Sequence, residues 1–321
     1  MKSDDRCAVA LTEVAPGEIP TVRKLEHLEI THRARMPDPG RSQRAPIGSY
    51  GVRRMRPPVG RHIGWIGPSG ADLMWPMDGY EPVRSFDEAT AEEYDALVVR
   101  GDEDATVAFL DDLAQGGPAL ELAIGTGRIA LPLAATGVRV DGIDFSEPMV
   151  AKLRSKPGGA NLTIVIGDFC DVAVDGSYPL IYVVFNSLFN VLSQDDQVRC
   201  FENVASRLTP GGAFVVEGGC TLGWLDRVRL GQYVEAERID VEAVRLDVLR
   251  LDPATQMLYE NHVQVTRNGA RFTPVVQRYA WPSELDLMAR IAGLHLDQRW
   301  GGWNREPFTA RSENVISVYR A

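Results

Sequence analysis

The stretch Leu120-Glu-Leu-Ala-Ile-Gly-Thr-Gly-Arg128 is an apolar run closed by a Gly-x-Gly loop. Pro118 to Ile124 has the length and aliphatic content of a buried strand, and Arg128 to Thr136 reads as the helix behind the loop. Glycines at 125 and 127 let the backbone approach a ligand at a helix N-terminus, where a side chain would collide. Working outward, Val138 to Asp144 is a second strand. Ser146, followed by Glu147 and Pro148, reads as the N-cap of a helix reaching about Ser155. Asp144 falls about 20 residues beyond Gly125 at the end of that strand, where a carboxylate can accept both ribose hydroxyls of an adenosine group.

The alternation continues in both directions. Phe86 to Leu113 reads as two short helices separated near Gly101. Leu162 to Ile166 and Leu180 to Phe185 are strands, Asp195 to Leu208 is a helix, Thr209-Pro-Gly-Gly212 a turn, and Ala213 to Glu217 a fifth strand. Apolar strands alternating with helices imply a parallel sheet covered on both faces. After Gly219 the pattern changes to strand-length runs at Tyr233 to Ile239, Ala243 to Leu251, Met257 to Thr266 and Arg271 to Ala280, with turn signals at Asp252-Pro253 and Asn268-Gly269. Pro282 opens a helix ending near Gly293, and His295 to Trp300 with Asn314 to Tyr319 can close the sheet as a hairpin. The expected fold is α/β: a Rossmann-like, doubly wound, mostly parallel sheet of about seven strands. An antiparallel β insert over residues 221–280 could roof its C-terminal edge.

Composition bounds the function. The chain has 321 residues, 45% hydrophobic, enough for one large core, and a net charge of −10. A nucleic-acid binder would usually carry a basic stripe, so the acidic balance argues against a nucleic-acid partner. No run of about 18 apolar residues predicts a membrane span, and no apolar leader precedes a cleavage site. The four cysteines show no C-x-x-C pair, a pattern of reduced thiols and not of a zinc site or other metal centre. A cytoplasmic protein is the expectation. Residues 1–76 depart from the rest: twelve Lys and Arg face eight acids, with Pro and Gly interleaved. This segment reads as a disordered extension, with Met74 or Met77 as alternative starts, and residues 77–321 as the folded domain.

Three features bear on which nucleoside is bound. Glu121 lies inside the first strand, where a carboxylate would face a cationic sulfonium or ammonium group and not a pyrophosphate. Gly167-Asp168-Phe169 ends the third strand with an acid and an aromatic, suited to an adenine amine and ring face. No second glycine loop serves a second nucleotide, although Ala130 completes a Gly-x-Gly-x-x-Ala pattern that an NAD-binding protein could show.

With these motifs the sequence resembles the class I S-adenosylmethionine-dependent methyltransferases: Glu121 to Gly127, Gly142-Ile-Asp144-Phe-Ser146, Gly167-Asp168 and Leu208-Thr-Pro-Gly-Gly212 follow their pattern. The antiparallel insert is similar to that of the bacterial small-molecule branch, which includes sugar N-methyltransferases and glycine N-methyltransferase-like enzymes. The resemblance implies S-adenosyl-L-methionine as cofactor and S-adenosyl-L-homocysteine as product. It implies Glu121, Gly125 and Gly127 at the cofactor's methionine end, with Arg128 near its carboxylate. Asp144 would hold the ribose, Phe145 and Met149 would pack near the adenine, and Asp168 and Phe169 would read its edge and face. Phe185 and Asn186 would border the reacting sulfonium, and Tyr94 would stand on an N-terminal lid helix.

Methyl transfer from a sulfonium is an in-line displacement that needs alignment, dryness and a neutral nucleophile, so a dedicated base is optional. His262, in an insert strand, is the histidine nominated for the acceptor side. Trp281, Trp300 and Trp303 could line an apolar acceptor pocket. The run Phe185-Asn-Ser-Leu-Phe-Asn190 lacks the Asn-Pro-Pro-aromatic clamp of exocyclic-amine base methyltransferases. The expected partner is a small-molecule methyl acceptor, with a homo-oligomer compatible with the sequence. An inactive cofactor-binding regulator and an NAD(P)-dependent oxidoreductase stay open as alternatives.

Overall fold

The computed structural model describes residues 80–219 and 232–321, all within one unit, Pro68–Ala321. The extension expected over 1–76 and the first residues of the insert lie outside the described residues.

Seven strands form one sheet. β1 (Ala119–Leu122), β2 (Val140–Asp144), β3 (Thr163–Ile166), β4 (Tyr178–Val183) and β5 (Leu208–Gly219) are parallel, while β10 (His295–Trp300) and β11 (Asn314–Arg320) form an antiparallel hairpin. The order is β10-β11-β5-β4-β1-β2-β3, and β11 runs antiparallel to β5. An antiparallel strand beside β5 departs from the all-parallel order of dinucleotide-binding sheets. The strand alternation predicts two buried faces, and both are filled. Ile181, Val183, Phe214 and Val216 point into one core with Phe201 and Leu285, while Leu180, Tyr182, Ala213 and Val215 point into the other with Phe109 and Leu133.

Helices α1 (Glu88–Leu97) and α2 (Glu103–Ala114) precede the sheet, behind a short 3₁₀ turn, Pro82–Phe86. Asp87 caps α1 by accepting from the Thr90 N–H at 2.8 Å. Between strands lie α3 (Ala130–Ala135), α4 (Glu147–Ser155) and α5 (Gln194–Arg207), and α6 (Pro282–Ile291) precedes the hairpin. Ser146 caps α4 as expected, its Oγ 3.2 Å from the Met149 N–H.

β6 (Gln232–Ile239), β7 (Ala243–Asp252), β8 (Met257–Thr266) and β9 (Gly269–Arg278) make a second sheet, antiparallel in sequence order. The Asn268-Gly269 turn falls between β8 and β9 as the sequence indicates, with Gly269 at φ 136°.

Several boundaries differ from expectation, among them β9, which spans Gly269–Arg278 and not Arg271 to Ala280, and α3, which begins at Ala130 and not Arg128. Thr209 to Gly212 is not a turn before β5 but lies within it. A register shift between Tyr178 and Leu180 absorbs the irregularity at Gly211, whose φ is 74°. β4 ends at Val183, not Phe185, because Phe185 and Asn186 adopt φ values of 57° and 60°. β1 ends at Leu122 because Ala123 turns to φ 58°.

Candidate functional site

The loop after β1 is wound by three left-handed residues within five: Ala123, Gly125 and Gly127, at φ 58°, 55° and 76°. For Ala123 this conformation carries strain on the order of 1–3 kcal/mol, the kind that persists where surrounding structure enforces it. The two glycines serve different ends. A Cβ on Gly127 would come within 2.8 Å of Leu153, so this glycine lets the loop seat on α4. A Cβ on Gly125 would make only ordinary contacts, with Met149 at 3.5 Å and the Ala123 carbonyl at 3.9 Å, so there the positive φ and not crowding calls for glycine.

Two buried carboxylates flank this loop. Asp144, 6% exposed, ends β2 and takes the Gly125 N–H at 2.7 Å on one oxygen and the Ser146 N–H at 2.8 Å on the other. The Phe145 backbone also bonds to this carboxylate, and with each oxygen able to accept twice, one acceptor position is left beyond the backbone bonds. Burial outweighs these bonds and raises its pKa. Glu121, 3% exposed, is paired in register with Tyr182 of β4, whose hydroxyl donates to it at 3.0 Å. Burial raises the Glu121 pKa to about 8 against the opposing Tyr182 bond and the Arg128 charge.

The remaining sequence-nominated residues fall around this pair. Arg128 joins Glu103 at 3.0 Å and lies over the Phe185 ring, 5.1 Å from its centre. Phe145 is half-buried, edge-on to Phe86, and Met149 is buried on α4 beside Gly125. Asp168 is exposed and accepts the Cys170 N–H at 2.8 Å. Phe169 is turned into the core and is 5% exposed, so little of its ring face is open. The Asn186 Oδ1 accepts from the Gly219 N–H, holding the β4 exit against β5. Tyr94 feels the charges of Arg128, Asp144 and Glu121; burial pushes its pKa up to about 12.

Helix α1 is latched on both sides. Toward the loop, Asp95 accepts from the Thr126 hydroxyl at 2.6 Å and pairs with Lys156 at 2.5 Å, while the Ser146 hydroxyl donates to the Phe86 carbonyl at 2.7 Å. Lys156 and Thr126 hold the Asp95 carboxyl below its usual range despite burial. Toward the antiparallel sheet, Arg271 pairs with Glu93 at 3.0 Å and reaches Thr90 at 3.1 Å.

These elements enclose a cavity of about 440 Å³. Tyr94, Arg100, Phe185 and Asn186 border it on the loop side, and Glu260 and His262 on the sheet side. Trp281, Trp300 and Trp303 do not line it. Trp303 packs into the core on Phe109, with ring centres 5.4 Å apart, and Trp300 and Trp281 pack against the two cores, because each borders an apolar layer of the sheet.

Sequence reasoning missed Glu217 and Arg100. Glu217 is 2% exposed on β5 and accepts the Phe185 N–H at 2.8 Å, the Trp303 indole N–H at 3.3 Å and the Arg100 guanidinium at 2.7 Å. Arg100 also lies over the Phe185 ring, 5.2 Å from its centre. An acid inside the apolar run Phe214 to Gly219 was the available signal, since a buried charge demands partners.

The family described as "Methyltransferase domain" matches residues 119–212, from β1 into β5. The CcbJ methyltransferase of Streptomyces caelestis superposes with a TM-score of 0.71 at 36% identity, over 75% of this chain and 99% of that one. The cypemycin N-terminal methyltransferase of a Streptomyces species is 28% identical over 63% of this chain and 82% of its own length. CalS10 of Micromonospora echinaspora, an amino pentose methyltransferase seen with S-adenosylmethionine, shares the fold at a TM-score of 0.55 and 17% identity, over 72% of this chain and 96% of that one. With a relative this similar over nearly its whole length, and with the acid of β1, the glycine loop behind it and the second acid at the end of the adjacent β2 joined to that loop, the chain belongs to the class I S-adenosylmethionine-dependent methyltransferases.

Proposed function

We propose that residues 77–321 form the catalytic domain of an enzyme that methylates a small acceptor, with an amine nitrogen as the acceptor atom. The observation that carries this reading is the cavity between α1 and the antiparallel sheet. Phe185 and Asn186, at the exit of β4, border it, and its volume suits a metabolite. The name of the cypemycin relative gives an amino terminus as that enzyme's acceptor, which favours nitrogen over oxygen or carbon here.

The residues present fit S-adenosylmethionine. Asp144 keeps an acceptor position for a ribose hydroxyl, and Glu121 offers a buried carboxylate toward a cationic group. When bound, the cofactor supplies an electrophilic methyl on a positively charged sulfur. Phe145 and Met149 would flank the adenine, and Asp168 would accept from its amine. Phe169, turned inward, would support that wall from beneath. Gly125 and Gly127 shape the loop, and Arg128 would stand near the carboxylate end, already anchored by Glu103. Tyr94, Phe185 and Asn186 would close over the reacting region and exclude water, so alignment provides the main catalytic contribution.

The test is calorimetry on Asp144→Asn and Asp144→Ala with S-adenosylmethionine. Loss of charge-assisted bonds to a ribose is expected to weaken binding about 10- to 100-fold. Unchanged affinity in both variants would remove Asp144 from the cofactor site.

A further inference from the structure

Resting on the reading of this cavity as the acceptor site, its sheet-side wall has a charge pattern of its own. Side chains alternate along a strand, so one face of β6 to β9 looks into the cavity. Most charges on that face are already neutralised in pairs. Arg245 meets Glu237 at 2.6 Å, and Arg271 meets Glu93 of α1 at 3.0 Å. Across the cavity, Arg100 is held by Glu217 and Asp102. Asp247, Glu260 and His262 remain.

His262 of β8 and Asp247 of β7 are directly opposite in register, with the imidazole Nδ1 2.6 Å from Asp247 Oδ1. A carboxylate only accepts, so Nδ1 carries the hydrogen and Nε2 of the neutral ring is a bare acceptor. Nε2 stands 4.0 Å from Glu260 Oε2. That gap is too long for a hydrogen bond, yet one donor nitrogen about 2.9 Å from each atom would bridge both. Among the described residues, the Glu260 carboxylate makes no hydrogen bond of its own.

We infer that this wall is an ammonium site, in which Glu260 anchors the protonated amine of the acceptor and His262, oriented by Asp247, removes its proton. The N–H bond of the acceptor breaks, an Nε2–H bond forms, and the nitrogen lone pair is freed for methylation. The resulting imidazolium lies between Asp247 and Glu260 and returns its proton to solvent. His262 is thus a catalytic residue and Asp247 a positioning residue. Burial alone would weaken His262 as a base, but the Asp247 bond and the charges of Glu260 and Asp247 outweigh it and raise the ring's pKa. Arg245 on β7 opposes them; Glu235 on β6, directly opposite Asp247 and accepting from the Tyr233 hydroxyl, Glu237 on β6, Arg271 on β9 and Glu93 on α1 are the other charged groups around it. Glu237, Asp247 and His262 also place ligand atoms within 4.8 Å of one another. Arg245 and the imidazole N–H already occupy those two carboxylates, which favours an organic cation over a metal ion.

The experiment uses the full chain saturated with S-adenosylhomocysteine, titrated with cyclohexylamine or with cyclohexanol. Calorimetry is expected to show the amine binding about tenfold more tightly than the alcohol. Glu260→Gln should abolish that preference while leaving the affinity for S-adenosylhomocysteine unchanged. In ring-proton NMR, with the His262 signal identified by its loss in His262→Gln, the amine should lower the His262 titration midpoint and the alcohol should leave it in place. Asp247→Asn should lower the midpoint before any probe is added. Equal binding of the two probes, a preference that survives Glu260→Gln, or a midpoint moved by zinc chloride but not by the amine would each overturn the assignment. A failure of S-adenosylhomocysteine to bind would count instead against the cofactor reading.

Discussion

Glu121 shows what a single side chain contributes here. Its position inside an apolar strand was legible in the sequence, because a lone acid among Leu120, Leu122 and Ile124 has to be buried for a purpose. Its partner was not, since Tyr182 lies 61 residues away and meets it only through the β1–β4 register. Without a cationic ligand, burial holds the folded-state pKa near 8 against an ordinary 4.5. An acid with a raised folded pKa contributes stability that is fully present below pH 4.5 and is lost as pH rises through about 8. Unfolding free energy should therefore fall with pH across that window, by at most about 1.4 kcal/mol per pH unit from this group. Urea unfolding at several pH values should show a shallower slope for Glu121→Gln. Identical slopes would mean that Glu121 is ionised throughout. The same linkage requires S-adenosylmethionine to displace a proton on binding near pH 7, which calorimetry in buffers of different ionisation enthalpy reads directly. At Phe169 the residue-scale reading was less complete: the motif marks the position, but only the packing shows the ring turned into the core.

At the scale of elements, strands and their turns were read with small errors, because alternation and turn chemistry are local. Errors came where backbone left its ordinary region, at Ala123, Phe185 and Gly211. The attachments between elements were not legible, since they join residues far apart in sequence. Asp95 to Lys156 latches α1, and Arg278 at the end of β9 ties the antiparallel sheet to α5 and α6. Arg278 donates to Gln197 at 2.6 Å and to Glu284 at 2.7 Å, and its own carbonyl accepts from Gln197 at 2.9 Å. These bonds hold the Glu284 carboxyl below its usual range despite burial. Replacing Arg278 with Met would leave Glu284 with only the Gln194 and Gln256 amides, each at 2.6 Å, and a loss of about 1.5–3 kcal/mol is expected by denaturant unfolding. A loss under 1 kcal/mol would show that the network is solvated and does not anchor the insert.

For the whole molecule, function follows from where two sheets meet. The parallel sheet ends in a loop cradle with two buried acids, the antiparallel sheet presents a polar face, and α1 spans the opening between them. The glycine loop alone left a nicotinamide cofactor open. The antiparallel β11 beside β5 and the similarity to CcbJ over 99% of that chain favour the sulfonium cofactor. Among the described residues no helix is long and apolar enough to cross a membrane. The most direct test is a thermal-shift comparison of S-adenosylhomocysteine with NAD(H), since a ligand that binds only the folded state must raise the melting temperature. At 100 times its dissociation constant, S-adenosylhomocysteine should add about 2.7 kcal/mol to stability and raise the melting temperature by several degrees, with NAD(H) leaving it unchanged. Stabilisation by NAD(H) with no response to S-adenosylhomocysteine would contradict the assignment of the cradle.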